Sequence, residues 1–388
     1  MASRLPSNPS IGHLRSEARR LQRANHTALH AAQLTVARKY GFSSWPRLVH
    51  YLRDAASLGV DPSALDEQVL STADRFCSWA SLRYNETDAP PRWEAAADLL
   101  RAESNLVDTH VWAAASAADP AAVTRHLAGR PELANTGGGP FGWVPLMYLC
   151  YSRVPSVRNA EDVLATATLL LDAGADPNAG YLWCGLSTPF TVLTGVFGEG
   201  EQGPRRQPRH PFSADLATLL LTRGAHPVDQ QTLYNRMFRA DDSHLELLFA
   251  HGLADAGPSP WEARLGEAME TRAQMWRRQV EWAAGHGFTH RLELLARHGI
   301  DVSGVEVALP VFPEDPDALD EQGATALHQA AWSGDVELIR RLLDAGADAT
   351  ITDHRFGSTP LDWAEHAYQN EAAELLRRAL SAPSDHDG

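Results

Sequence analysis

Lysine is almost absent: Lys39 is the single lysine among 34 basic residues in a chain of 388. Basic character therefore rests on arginine, and a local arginine run weighs less as a nucleic-acid signal than it would in a mixed composition. Cysteine is also scarce. Cys77, Cys150 and Cys184 are an odd, widely spaced set without a Cys-x-x-Cys pair, which excludes a disulfide framework and a cysteine zinc site. No apolar run approaches the ~18 residues a membrane-spanning helix needs, and Met1 to Ser10 lack the apolar stretch of a secretory signal, so a cytoplasmic chain without membrane contact is expected. The Gly-x-x-x-x-Gly-Lys phosphate loop and the Gly-x-Ser-x-Gly elbow are missing, and no cofactor or catalytic residue is assigned. The 17 histidines are scattered, several at helix ends such as Gly285-His-Gly287 and Arg297-His-Gly299, and no metal ligand is assigned.

What is present is ordinary globular material, 44% hydrophobic and 21% charged, enough for two or three domains. Charge is segregated. Residues 1–53 hold eight arginines and Lys39 against Glu17 alone, a net of +8 in a chain of net −15. This block reads as three short helices. The first carries Ile11, Leu14, Ala18 and Leu21 on one face, the second runs from a Thr27 cap to Gly41, and the third opens at Ser44-Trp-Pro-Arg. Its positive face, with Arg15, Arg19, Arg20, Arg23, Arg38 and Lys39, is compatible with helix-turn-helix contact to nucleic acid. The competing readings are docking on the acidic remainder of the chain and a solvated surface.

Self-comparison is the most informative test. Gly323-Ala-Thr-Ala-Leu-His-Gln-Ala-Ala-Trp-Ser-Gly334 leads into Asp335-Val-Glu-Leu-Ile-Arg-Arg-Leu-Leu-Asp-Ala-Gly-Ala-Asp348, and Thr359-Pro-Leu-Asp-Trp-Ala-Glu restarts the pattern 34 positions after Thr325. The threonine caps a short helix, Ala330 and Ala331 permit close approach of a neighbour, and Leu338, Ile339, Leu342 and Leu343 form the apolar stripe of a second helix. Over 320–380 this resembles the ankyrin repeat. Glycines that would end second helices recur at 174, 224, 252, 299 and 346, which implies at least five units. The run from Ala32 to Leu48 is similar to the helical leader of a group of bacterial ankyrin proteins.

The resemblance implies an all-α solenoid of stacked helix-turn-helix units, several degenerate, preceded by a small helical unit. The expected organisation is a leader at 1–57, a bridging segment at 58–108, an array at 109–380 with insertions at 153–161 and 197–212, and a disordered tail at 381–388. Residues 261–284 read as one long capped helix.

Ankyrin proteins grip partners with hairpin fingers and the ends of first helices. Carried over by position, that implies a non-catalytic scaffold binding a protein through Trp143, Tyr151, Ser152, Phe238, Arg239, Glu321, Gln322, Trp332, Ser333, His354, Arg355 and His366, a set rich in hot-spot residue types. The alternative is an enzyme or small-ligand binder using a polar pocket of Arg153, Glu199, Glu201, His210, Tyr234, Asn235 and Arg236. If Glu199 to Glu201 is extended, both carboxylates point the same way and His210 closes the pocket.

Overall fold

The computed structural model describes residues 10–103, 105–155, 159–308, 312–321, 323–367 and 369–381. Short helices dominate. The described residues divide into two compact units, one from Met1–Gly198, Arg209–Thr232 and Leu248–Trp276, the other from Glu199–Pro208, Leu233–Leu247 and Arg277–Gly388.

In the first unit the basic block folds into helices α1 (Ile11–Asn25), α2 (Leu29–Lys39) and α3 (Trp45–Leu58). The Ser10 and Ser44 side chains cap α1 and α3 by accepting from His13 N and Arg47 N. Ala28, not Thr27, stands at the start of α2 and offers no side-chain cap. The apolar faces close over Leu14, Ala18, Val36, Leu48 and Leu52, and this core continues into Leu182, Trp261, Leu265 and Met269. Three short strands were not foreseen as such: β1 (Gly59–Val60) lies parallel to β2 (Gly180–Trp183), which pairs antiparallel with β3 (Pro189–Thr191). Residues 261–284 are not one helix. Pro260–Leu265 ends where Gly266 turns to φ +54°, and a second helix begins at Arg272, because the left-handed glycine breaks the ladder.

Repetition shows in the backbone. All five glycines at 174, 224, 252, 299 and 346 have φ between +78° and +99°, so each ends its helix in the left-handed conformation. Adjacent turns are joined by one recurring device. Asn135 donates to Gly174 O at 2.5 Å and accepts from Asp176 N at 2.9 Å. Asn178 repeats this with Gly224 O (3.0 Å) and His226 N (2.8 Å). Asp317, in the second unit, accepts from Asp348 N at 2.8 Å. Each satisfies polar backbone groups left over where a helix ends.

The second unit ends in two helical hairpins, Ala326–Ser333 with Val336–Asp344 and Pro360–His366 with Asn370–Ser381. Leu327, Ala330, Ile339, Leu342, Ala364 and Leu376 make their shared core. Thr325 and His328 form a reciprocal cap, and His328 Nε2 lies 3.0 Å from Ser358 O, tying one hairpin to the loop that opens the next. Among the described residues no helix is long and apolar enough to cross a membrane.

Candidate functional site

Helix ends in the second unit bring together four of the expected partner-binding side chains, Trp332, His366, Arg239 and Phe238. Trp332 is 41% exposed at the end of Ala326–Ser333. It is nonetheless held on three sides: Trp363 packs edge-on at 5.9 Å between ring centroids, His366 stacks at 5.9 Å, and the Arg239 guanidinium sits 5.5 Å from the ring. Arg239 Nη1 also donates to Trp332 O at 2.8 Å. Burial lowers the pKa of Arg239, and the nearby Glu199 carboxylate opposes that shift. Next along, Phe238 meets Tyr234 and Trp282 edge-on at 5.3 and 5.0 Å, and Arg278 lies 5.2 Å from the Tyr234 ring. Arg205 Nη1 is 3.4 Å from His366 Nε2. Arg205 and Arg278 were not singled out from the sequence, and Trp282 reads there only as an apolar anchor of the expected long helix, since nothing local marks them as neighbours of this ridge.

Other expected contacts are dispersed. Glu321, His354 and Arg355 are exposed, His354 N bonds Gly323 O at 3.2 Å, and Ser333 is half-buried with its hydroxyl on Ala330 O at 3.1 Å. Gln322 lies outside the described residues. Asp353, which the sequence reading passed over, organises this finger. Its carboxylate accepts from the N–H groups of Arg355, Phe356 and Ser358 and from the Trp363 indole, and these bonds outweigh burial to hold its pKa down at about 2.

Trp143, Tyr151 and Ser152 are corrected by the structure: all three are buried in the first unit. Trp143 lies 4.6 to 5.4 Å from the rings of Phe141, Tyr148, Tyr151 and Tyr181, and the Tyr151 hydroxyl donates to Thr191 O at 2.9 Å. Ser152 Oγ donates to Ser116 O at 2.8 Å. They build an aromatic core rather than a surface.

The expected polar pocket is also rearranged. Glu199 has φ +58° and is buried whereas Glu201 is exposed, so the two carboxylates do not point the same way. Glu199 pairs with the fully buried Arg236, whose Nη2 is 3.2 Å from Asp241. Glu201 accepts from the Tyr234 hydroxyl, and burial followed by that bond pushes the phenol up to about 12. Asn235 is buried beside Gly200. In the first unit, Arg153 Nη1 donates to Cys150 O (3.1 Å) and Ser152 O (2.9 Å). His210 Nδ1 accepts from Phe212 N at 3.1 Å, and burial, then the Arg153 charge, push its pKa down to about 3. Gly198-Glu-Gly200-Glu-Gln-Gly203 spells the dinucleotide spacing, which the sequence reading did not register. The spacing follows the helix Val192–Phe197 instead of a strand and leads only into the four-residue helix Gly203–Arg206, so the phosphate-binding context is missing. Among the described residues no group of three His, Cys, Asp or Glu side chains is placed to hold a metal ion.

The family model for ankyrin repeats, in three copies, matches residues 282–383. Diacylglycerol kinase zeta of Rattus norvegicus is 35% identical over 91 residues, which is 22% of this chain and 10% of that protein's length. A crystal structure of an ankyrin repeat protein aligns over 69% of this chain and 96% of its own, with 18% identity and a TM-score of 0.20. The chain is thus an all-α protein of stacked helical hairpins that carries ankyrin repeats over residues 282–383.

Proposed function

We propose that this chain is a non-catalytic cytoplasmic scaffold whose repeats hold a protein partner along the helix ends of the second unit, centred on Trp332, His366, Arg239 and Phe238. One observation carries this reading: Trp332 is exposed and yet fixed by Trp363, His366 and Arg239. An aromatic already ordered in solution loses little freedom when a partner covers it, so its buried area converts efficiently into affinity. The polar residues that would have served an enzyme support the same reading. Glu199 and Arg236 neutralise each other, and His210 is kept unprotonated by burial and by the Arg153 charge. In this arrangement residues 1–57 are the leader, 58–108 the bridge and 109–380 the array.

The test is affinity capture by the full chain and by a Trp332→Ala, His366→Ala variant, followed by quantitative mass spectrometry and titration of the captured protein. A partner weakened 30-fold or more, about 2 kcal/mol, by the double substitution supports the reading. Equal capture and equal affinity contradict it, as does turnover of a co-purified metabolite.

A further inference from the structure

We propose that the exposed face of α1 binds double-helical nucleic acid through its phosphate backbone, without reading base sequence. The inference is independent of the partner site in the second unit.

The charges are arranged for it. Arg15, Arg19 and Arg23 stand four residues apart, so they follow one line along the helix with a rise of about 6 Å per step and about 12 Å in all. Arg20 flanks the line, and Arg38 adds a charge on α2. All five are exposed, and among the described residues none forms an ion pair with an acid. Several arginines elsewhere in the same unit differ: Arg47, Arg83, Arg92, Arg125 and Arg223 each pair with a carboxylate. The one acid on α1 is already neutralised: Glu17 is held by Lys39 at 2.6 Å and by the Tyr40 hydroxyl at 3.0 Å. The net charge of −15 does not cancel the patch, because fields from exposed charges fade over about 8 Å at physiological ionic strength.

Three features select the occupant. The apolar side of α1, Leu14 and Ala18 with Ile11 and Leu21, is committed to the leader core, so no apolar face remains to enter a bilayer. The solvent side of α1 carries no aromatic ring beyond His13, which leaves unpaired bases without a stacking platform and favours a duplex. The third helix of a helix-turn-helix would be the base reader, but α3 is docked. Tyr51 donates to Gly185 O at 3.1 Å and Arg47 pairs with Glu267 at 3.1 Å. With that side of α3 engaged, the proposal rests on backbone contact by α1 and not on base reading by α3.

The experiment is fluorescence anisotropy of labelled 20-base-pair DNA duplexes with the full chain between 50 and 200 mM salt. Four phosphates neutralised by α1 give a slope of log K against log salt near about −3.6, a loss of about 150-fold over that range. Arg15→Gln, Arg19→Gln, Arg23→Gln together flatten it to about a 3.5-fold loss, and the corresponding lysine variant restores the steep slope with unchanged circular dichroism. Two unrelated duplexes bind alike. The proposal is overturned by absence of duplex binding at 50 mM salt, by a slope that the glutamine variant leaves unchanged, by a tenfold preference for one duplex sequence, or by association with anionic vesicles in place of DNA.

Discussion

Arg239 and Trp332 are joined twice: the guanidinium donates to the tryptophan carbonyl at 2.8 Å and lies 5.5 Å from the indole ring. The two residues are 93 positions apart, so the contact fixes a surface that neither element defines alone. Arg239→Ala removes one hydrogen bond and one cation–π contact, an expected cost of about 1 to 2 kcal/mol in denaturant unfolding. Trp332→Ala costs about 1 kcal/mol of stability and yet weakens the partner by 30-fold or more, a separation that a purely structural tryptophan does not show.

Behind that surface, Arg291 is fully buried and gathers the turn at 237–242. Its Nε bonds Asp242 Oδ1 at 2.5 Å, its Nη1 bonds Met237 O at 2.8 Å, and its Nη2 reaches Arg239 O and Asp241 O. Asp242→Asn strips the charge partner from a buried cation. Urea unfolding should show a loss of about 3 to 5 kcal/mol, more than any surface pair of this chain contributes. Arg291→Met with Asp242→Leu removes both charges and is expected to cost less than Arg291→Met alone.

In the first unit, Gly195 is where the aromatic core meets a helix. A Cβ added there would stand 2.3 Å from Tyr151 Cδ2, and the ring cannot retreat because its hydroxyl is bonded to Thr191 O. Gly195→Ala should cost about 1 to 3 kcal/mol in thermal or denaturant unfolding. The equivalent change at Gly257, which has open space around it, should be close to neutral.

His210 gives a pH signature. Its pKa in the folded chain is about 3, below the ordinary value of 6.5, because burial disfavours the cation and Arg153 repels it. The contribution is complete above pH 6.5 and is lost as pH falls towards 3, since there the unfolded chain binds one more proton. The expected slope is about 1.4 kcal/mol per pH unit. Unfolding curves between pH 4 and 6.5 should be flatter by that amount in His210→Gln than in the unmodified chain.

The C-terminal hairpins were legible because their signals are local: a capping threonine, a paired alanine step and a left-handed glycine lie within one repeat. The partners of Trp143 and Tyr151 were not. An aromatic at the end of a first helix reads the same whether it faces solvent or a neighbour, and what buries Trp143 includes Tyr181, 38 positions away. The strand Gly59–Val60 is too short to show a period, and its partner is more than a hundred residues distant. For Glu199 and Glu201 the alternation was read correctly for a strand, but a backbone at φ +58° at Glu199 separates the two side chains. Gly266 was visible within the expected long helix, although sequence alone did not show that it adopts a left-handed turn.

The central claim is tested most directly by hydrogen exchange of the full chain with and without a partner obtained by capture and confirmed by titration. The account predicts slowed exchange in 326–333 and 360–366 and around Arg239, with α3 unchanged. Protection confined to other segments, with those helix ends exchanging as in the free chain, would contradict it.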